Sequence, residues 1–129
     1  MKIAIASTKE GYVFEGHFAH APIYRIYLYE GGGQLRLVEE RKNPLGDVPD
    51  VDVEPHGGHM HGPAKYAWLR ERILPDVDAI IAAGACQTSH NYFSSQGVKM
   101  LYVDPIQVEF LEKYIKENPA DFENILNST

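Results

Sequence analysis

The chain has one cysteine, Cys86, in 129 residues. No intramolecular disulfide can staple it, which fits a reducing compartment. Long apolar runs are also missing. The opening Lys2-Ile3-Ala4-Ile5-Ala6-Ser7 is too short for a signal peptide or a membrane span, and no other segment approaches span length. The expectation is a cytoplasmic protein that does not enter a membrane. Basic runs are absent as well. With a formal net charge of −6, the surface should repel nucleic acid rather than attract it.

Several catalytic signatures are lacking. Gly31-Gly32-Gly33 has no following Lys-Ser/Thr pair, so it is a turn and not a phosphate-binding loop. There is no Gly-x-Ser-x-Gly elbow and no His-Glu-x-x-His helix. The predicted strands do not carry the carboxylates that two-metal nuclease chemistry requires. What remains is ordinary globular material. At 44% apolar and 23% charged residues, a chain of this length buries a core without covalent staples. One domain over 1–129 is expected, with 119–129 as a tail that forms one short helical turn or frays.

Hydrophobic periodicity gives the element order. Lys2 to Ser7 reads as a short buried strand. Ile23 to Glu30 alternates as a second, and Gln34 to Glu40 returns from it after the three glycines. Asn43-Pro44 ends that hairpin. Residues 44 to 62 carry no period. Pro63 opens a helix whose apolar face is Tyr66, Leu69 and Ile73, and Pro75 stops it. Asp78 to Ala85 is a continuous apolar strand, the pattern of one covered on both faces. A helix from about Ser89 to Gln96 follows, capped by Gly97, then a strand over Val98 to Val103. Asp104-Pro105-Ile106-Gln107 reads as the start of a last helix, with Val108, Leu111 and Ile115 as its buried stripe. The order β-β-β-α-β-α-β-α predicts an α/β fold, a mixed five-stranded sheet with helices on its faces.

The chemistry-bearing residues fall in three loops. His56, His59 and His61 lie in the run His56-Gly57-Gly58-His59-Met60-His61-Gly62. Imidazole is the commonest metal ligand, and the glycines let the loop close on a small object. The plainer reading is a solvated polar loop. His17 and His20 follow the first strand, at the carboxyl edge where ligands bind in α/β sheets. Their plainer role is to hydrogen-bond the loop backbone. Cys86 follows the central apolar strand and precedes a helix, a setting that favours thiolate and soft metals. His90 lies four residues on. The plainer reading of Cys86 is a small buried hydrophobe. The acidic residues Asp47, Asp50, Asp52 and Glu54 read as solvation of their loop.

These residues together resemble the dinitrogenase iron–molybdenum cofactor biosynthesis family over roughly residues 1 to 117. The opening strand is similar to that family's first strand. His17-Phe18-Ala19-His20-Ala21-Pro22-Ile23-Tyr24 resembles its His-Phe-Gly-Arg-Ala-Pro followed by an aromatic strand. Asn43-Pro44, the His/Gly-rich stretch at 56–62, Asp78 to Gly84 and Gly97-Val98-Lys99 match in order. Ala19 and His20 replace the usual Gly-Arg, and Cys86 stands in what is commonly a glycine-rich turn. The resemblance implies a ribonuclease H-like fold. It also implies an iron–sulfur or iron–molybdenum-type cluster as ligand, handled without catalysis, and a protein that donates or accepts it.

Three readings follow. In the first, the chain carries a cluster or metal ion, with His56, His59 and His61 as metal ligands and His17, His20, Cys86 and His90 around the cofactor. In the second, three histidines hold zinc or another divalent metal in a hydrolase. In the third, the chain is a regulatory scaffold that binds no metal and presents Tyr27 and Tyr29 to a partner.

Overall fold

Ala79-Ile80-Ile81-Ala82 is fully buried, with a parallel strand along each edge and an apolar layer over each face. The computed structural model that shows this describes residues 1–47 and 62–129. Its strands are β1 (Lys2–Ser7), β2 (Ile23–Tyr29), β3 (Leu35–Lys42), β4 (Ala79–Ala82) and β5 (Lys99–Tyr102). Its helices are α1 (Gly62–Arg72), α2 (Gln87–Ser95), α3 (Val108–Glu117) and α4 (Pro119–Asn127). The five strands form one sheet in the order β3-β2-β1-β4-β5. β1, β4 and β5 run parallel, and β2 and β3 are antiparallel to their neighbours. The predicted mixed five-stranded α/β sheet is therefore present. Among the described residues no helix is long and apolar enough to cross a membrane.

Strand alternation sorts the core into two layers. Ala4, Ala6, Tyr24, Ile26, Ile80, Ala82 and Met100 face one way, against Tyr66 and Leu69 of α1 and Phe93 of α2. Ile3, Ile5, Tyr27, Tyr29, Ala79, Ile81 and Leu101 face the other, against Val108, Leu111 and Ile115 of α3 and Phe122 and Leu126 of α4. Each fully buried aliphatic or aromatic side chain contributes about 1.5–3 kcal/mol of transfer free energy, so the sheet is held from both sides. The β2–β3 hairpin turns on Gly31, Gly32 and Gly33, all with positive φ, a conformation that disfavours other residues. A β-bulge between Ile26 and Tyr27 skips Val38 and shifts the register of β3.

Four expectations are corrected. Residues 104–107 do not begin α3, whose N-cap is Gln107, without a side-chain cap bond. Their backbone serves the first loop instead: Val13 N–H donates to Ile106 O and Val108 N–H to Gly11 O, both at 2.8 Å. Helix α2 begins at Gln87, with Cys86 itself as N-cap. The tail is neither a single turn nor frayed, because Pro119 starts a nine-residue helix that buries Phe122 and Leu126. Tyr27 and Tyr29 are not a partner surface. Both are buried, with their hydroxyls donating to Glu112 and Glu123.

Edge strand β3 is tied to the far end of α1. Arg41 donates to both carboxylate oxygens of Asp76, at 2.7 and 2.9 Å, and to Ile73 O at 2.8 Å. Lys2 Nζ reaches Asp76 at 2.7 Å. The Arg41 guanidinium holds the Asp76 carboxyl well below the usual carboxylate range, against a smaller opposing effect of burial. A depressed carboxyl stabilises the fold above its unfolded pKa of about 3.9, and that contribution fades as pH falls below it. Asp76→Asn should therefore cost about 1 kcal/mol near neutral pH, a figure discounted for the solvent that screens this half-exposed pair. The difference from wild type should begin to narrow below about pH 4 and close as pH falls through the much lower folded-state value. Urea midpoints across pH measure both.

Candidate functional site

The loop after β1 is stitched to the end of β4. His17 forms a parallel bridge with Gly84, and Phe18 N–H donates to Gly84 O at 2.8 Å. The approach is so close that a Cβ on Gly84 would lie 2.5 Å from Gly16 O. Only glycine fits there. Gly84→Ala should destabilise the protein by about 1–3 kcal/mol, the range for inserting an atom into packed structure, as read from a urea or thermal transition.

That stitch puts His17 beside α1. Its Nδ1 accepts Ala19 N–H at 3.1 Å, capping the 3-10 turn Phe18–His20. The ring proton of His17 is thereby on Nε2. Nε2 lies 3.2 Å from Tyr66 Oη, and the His17 and Tyr66 rings stack at 5.7 Å and 3°. Tyr66 Oη is in turn 3.1 Å from Cys86 Sγ. His17, Tyr66 and Cys86, drawn from three separate elements, thus form one hydrogen-bonded chain.

Cys86 caps α2 with an unusual capping box. Its Sγ accepts Ser89 N–H at 3.4 Å, and its own N–H donates to Ser89 Oγ at 3.1 Å. Burial pushes the Cys86 thiol up. Hydrogen bonds with the Tyr66 and Ser89 side chains and from the Ser89 and Thr88 backbone outweigh it and bring the thiol below its ordinary value. The residue is exposed, so it is not the small buried hydrophobe of the plainer reading. It lines an open cleft of about 430 Å³ with Gly84, Gln87, His90 and Tyr102. His90 Nδ1 is 2.7 Å from Tyr102 Oη. Burial, then the nearby Cys86, push the Tyr102 phenol up.

His20 lies elsewhere. It is buried, with Nδ1 donating to Leu45 O at 3.0 Å and Nε2 facing the buried Lys65 Nζ at 3.1 Å. Beside it Asn43 Nδ2 donates to Ala19 O and Ala21 O, both at 2.8 Å. Asn43 Oδ1 accepts Leu45 N–H at 3.1 Å. This clamp fixes the loop that carries His17. His56, His59 and His61 lie outside the described residues, as do Asp50, Asp52 and Glu54.

Of the predicted site residues, then, Cys86 and His90 share the cleft, His17 reaches it through Tyr66, and His20 sits behind in the loop packing. Among the described residues no three His, Cys, Asp or Glu side chains converge as a metal site. Sequence reasoning missed Tyr66, Lys65, Asn43 and Tyr102. Tyr66 sits at core spacing in α1, which disguises a hydroxyl that has a partner. The Cys86 thiol should be alkylated at lower pH than a free cysteine. Ser89→Ala should move the alkylation midpoint upward and cost about 1 kcal/mol, because Cys86 N–H loses its Ser89 Oγ acceptor. The pH profile of alkylation and a urea transition measure the two effects.

A family model described as "Dinitrogenase iron-molybdenum cofactor" matches residues 1–117. No curated protein matches the chain. Among solved structures, the crystal structure of PH0822 superposes with a TM-score of 0.64 at 15% identity, covering 92% of each chain. An NMR structure of a Thermotoga protein, provisionally assigned as NifB and placed in the DUF35 family, superposes with a TM-score of 0.59 at 21% identity. It covers 92% of this chain and 89% of that one. These two likenesses concern the fold.

Proposed function

The chain belongs to the dinitrogenase iron–molybdenum cofactor family, and from that premise we propose that it binds and carries a metallocluster of iron–sulfur or iron–molybdenum type without catalysing a reaction on it. The observation that carries this reading is the open cleft at the carboxyl ends of β4 and β5, which His90 and the exposed Cys86 both line. A thiol drawn toward thiolate is a soft donor suited to cluster iron, and imidazole complements it. The cleft is open, as a carrier requires for a cargo that must leave again. The donor set therefore suits such a cargo.

In this reading His56, His59 and His61 supply the further, exchangeable ligands. They end one residue before α1, the helix whose Tyr66 touches Cys86. His17 and His20 serve the cofactor indirectly. His17 spends Nδ1 on Ala19 and offers only an N–H at Nε2, and His20 holds Leu45 and faces Lys65. The strand order, with three antiparallel strands followed by two parallel ones, supports a ribonuclease H-like assignment. A soluble protein of the reducing cytoplasm suits an oxygen-sensitive cargo, and the partners are a cluster donor and an acceptor.

The test is elemental analysis with a visible spectrum of the untagged protein, prepared without oxygen. It is run beside a His56/His59/His61 triple-alanine variant and a Cys86→Ala/His90→Ala variant. Wild type should hold near-stoichiometric iron, with or without molybdenum, and each variant should lose most of the cluster absorption. Zinc alone would move the site to structural or hydrolytic chemistry. No metal after reconstitution would end the carrier reading.

A further inference from the structure

We propose that an apolar groove between β5 and the helices α3 and α4 docks a short segment of a partner protein, one that carries large apolar side chains flanked by lysine or arginine. The inference goes beyond the cargo reading and stands whether or not the cleft holds a cluster.

The groove has a volume of about 280 Å³. Small-molecule sites occupy roughly 300–1,000 Å³, so this one suits side chains rather than a whole cofactor. Ile81, Leu101, Leu111 and Phe122 are its buried floor, and Tyr114 and Ile125 are its rim. Tyr114 is 40% exposed and Ile125 45%. Phe110, one helical turn before Tyr114 on α3, is 61% exposed. Large apolar side chains left in water at adjoining positions mark a contact surface. Tyr102 lines both this groove and the cleft of Cys86 and His90, so a segment seated here stands beside the cleft.

Charge selects the occupant. Glu117 lies about 60° around α3 from Tyr114, and Asp121 about 40° around α4 from Ile125. Asp104 follows Val103, which also lines the groove, at the carboxyl end of β5. All three carboxylates are exposed, and among the described residues none of them makes an ion pair. The nearby cations are turned to other uses. Lys99 Nζ donates to Thr129 O at 3.2 Å, and Lys113 and Lys116 sit about 100° and 160° around α3 from Tyr114. A basic segment therefore meets opposite charge at both ends of the groove. A second copy, with its own net charge of −6, would meet like charge. Area argues the same way. Phe110, Tyr114, Ile125 and Tyr102 together expose on the order of a few hundred Å², the size of a functional patch on a monomer and short of the roughly 800 Å² per partner of a stable dimer.

The test uses the full chain, without metal and isotope-labelled for amide NMR, titrated with three short synthetic peptides. One carries Leu and Phe flanked by Lys. Another carries the same anchors flanked by Glu, and the last replaces the anchors by Ser between the Lys flanks. The Lys-flanked peptide should shift amides in 99–103, 110–114 and 121–126 selectively, and should bind about fivefold tighter than the Glu-flanked one at low salt. The Ser peptide should leave those amides unmoved. Ile125→Asp should weaken binding about tenfold, and Tyr114→Ser gives the same reading if the first variant folds poorly. Glu117→Lys with Asp121→Lys should reverse the preference between flanks. Absent shifts, shifts spread over other faces, or equal binding of the Lys and Glu peptides would overturn the inference. Sedimentation showing a dimer that Ile125→Asp abolishes would assign the face to a second copy and overturn it as well. Because the titration is run without metal, its failure leaves the cargo reading standing.

Discussion

The candidate site depends on one backbone contact, the approach of Gly16 to Gly84. Gly84, which has no room for a Cβ, lets the loop after β1 lie against the end of β4 closely enough to continue the sheet by one bridge. Every later relation is measured from there. The bridge sets Phe18 in the core and His17 on its rim. His17 then meets Tyr66 from α1, and Tyr66 meets Cys86, two residues beyond the same Gly84. A side chain on Gly84 would separate the elements that make the hydrogen-bonded chain.

The two core layers explain why the contact is firm. Alternation along β1 and β4 gives both faces of the central strands to helices, so the carboxyl ends of these strands are held in place from above and below. α1 is fixed at its far end by Arg41 and Asp76 and near its start by Tyr66 and Lys65 in the site. The Asn43 clamp does the same for the loop, joining residues 19 to 21 to the end of the hairpin. The polar groups of the site are therefore positioned by packing and by backbone hydrogen bonds. The cleft itself stays open.

Much of the fold was legible in the sequence because its signals are local. The apolar run at 79–82, the alternation at 23–29 and the triple glycine each dictate an element by pattern alone. The misreadings were tertiary. Asp104-Pro105-Ile106-Gln107 has the residues of a helix start, but its backbone pairs with residues 11–13 from the first loop, and no local pattern announces that. Tyr27 and Tyr29 alternate with inward residues and looked exposed, yet a second layer of helices covers them. At the site, Cys86 and His90 were visible as a thiol and an imidazole one helical turn apart. Tyr66 was visible only as core, because a tyrosine at apolar spacing gives no sign of where its hydroxyl goes. Asn43 looked like the end of a strand for the same reason.

The proposed function places a metallocluster in the cleft on Cys86. Native mass spectrometry of the protein reconstituted and kept without oxygen tests it most directly, before and after alkylation of Cys86. The account predicts a mass increase of one cluster per chain in the unmodified protein and none in the alkylated one. Apo mass alone in the unmodified protein, or a cluster adduct that survives alkylation, would contradict it.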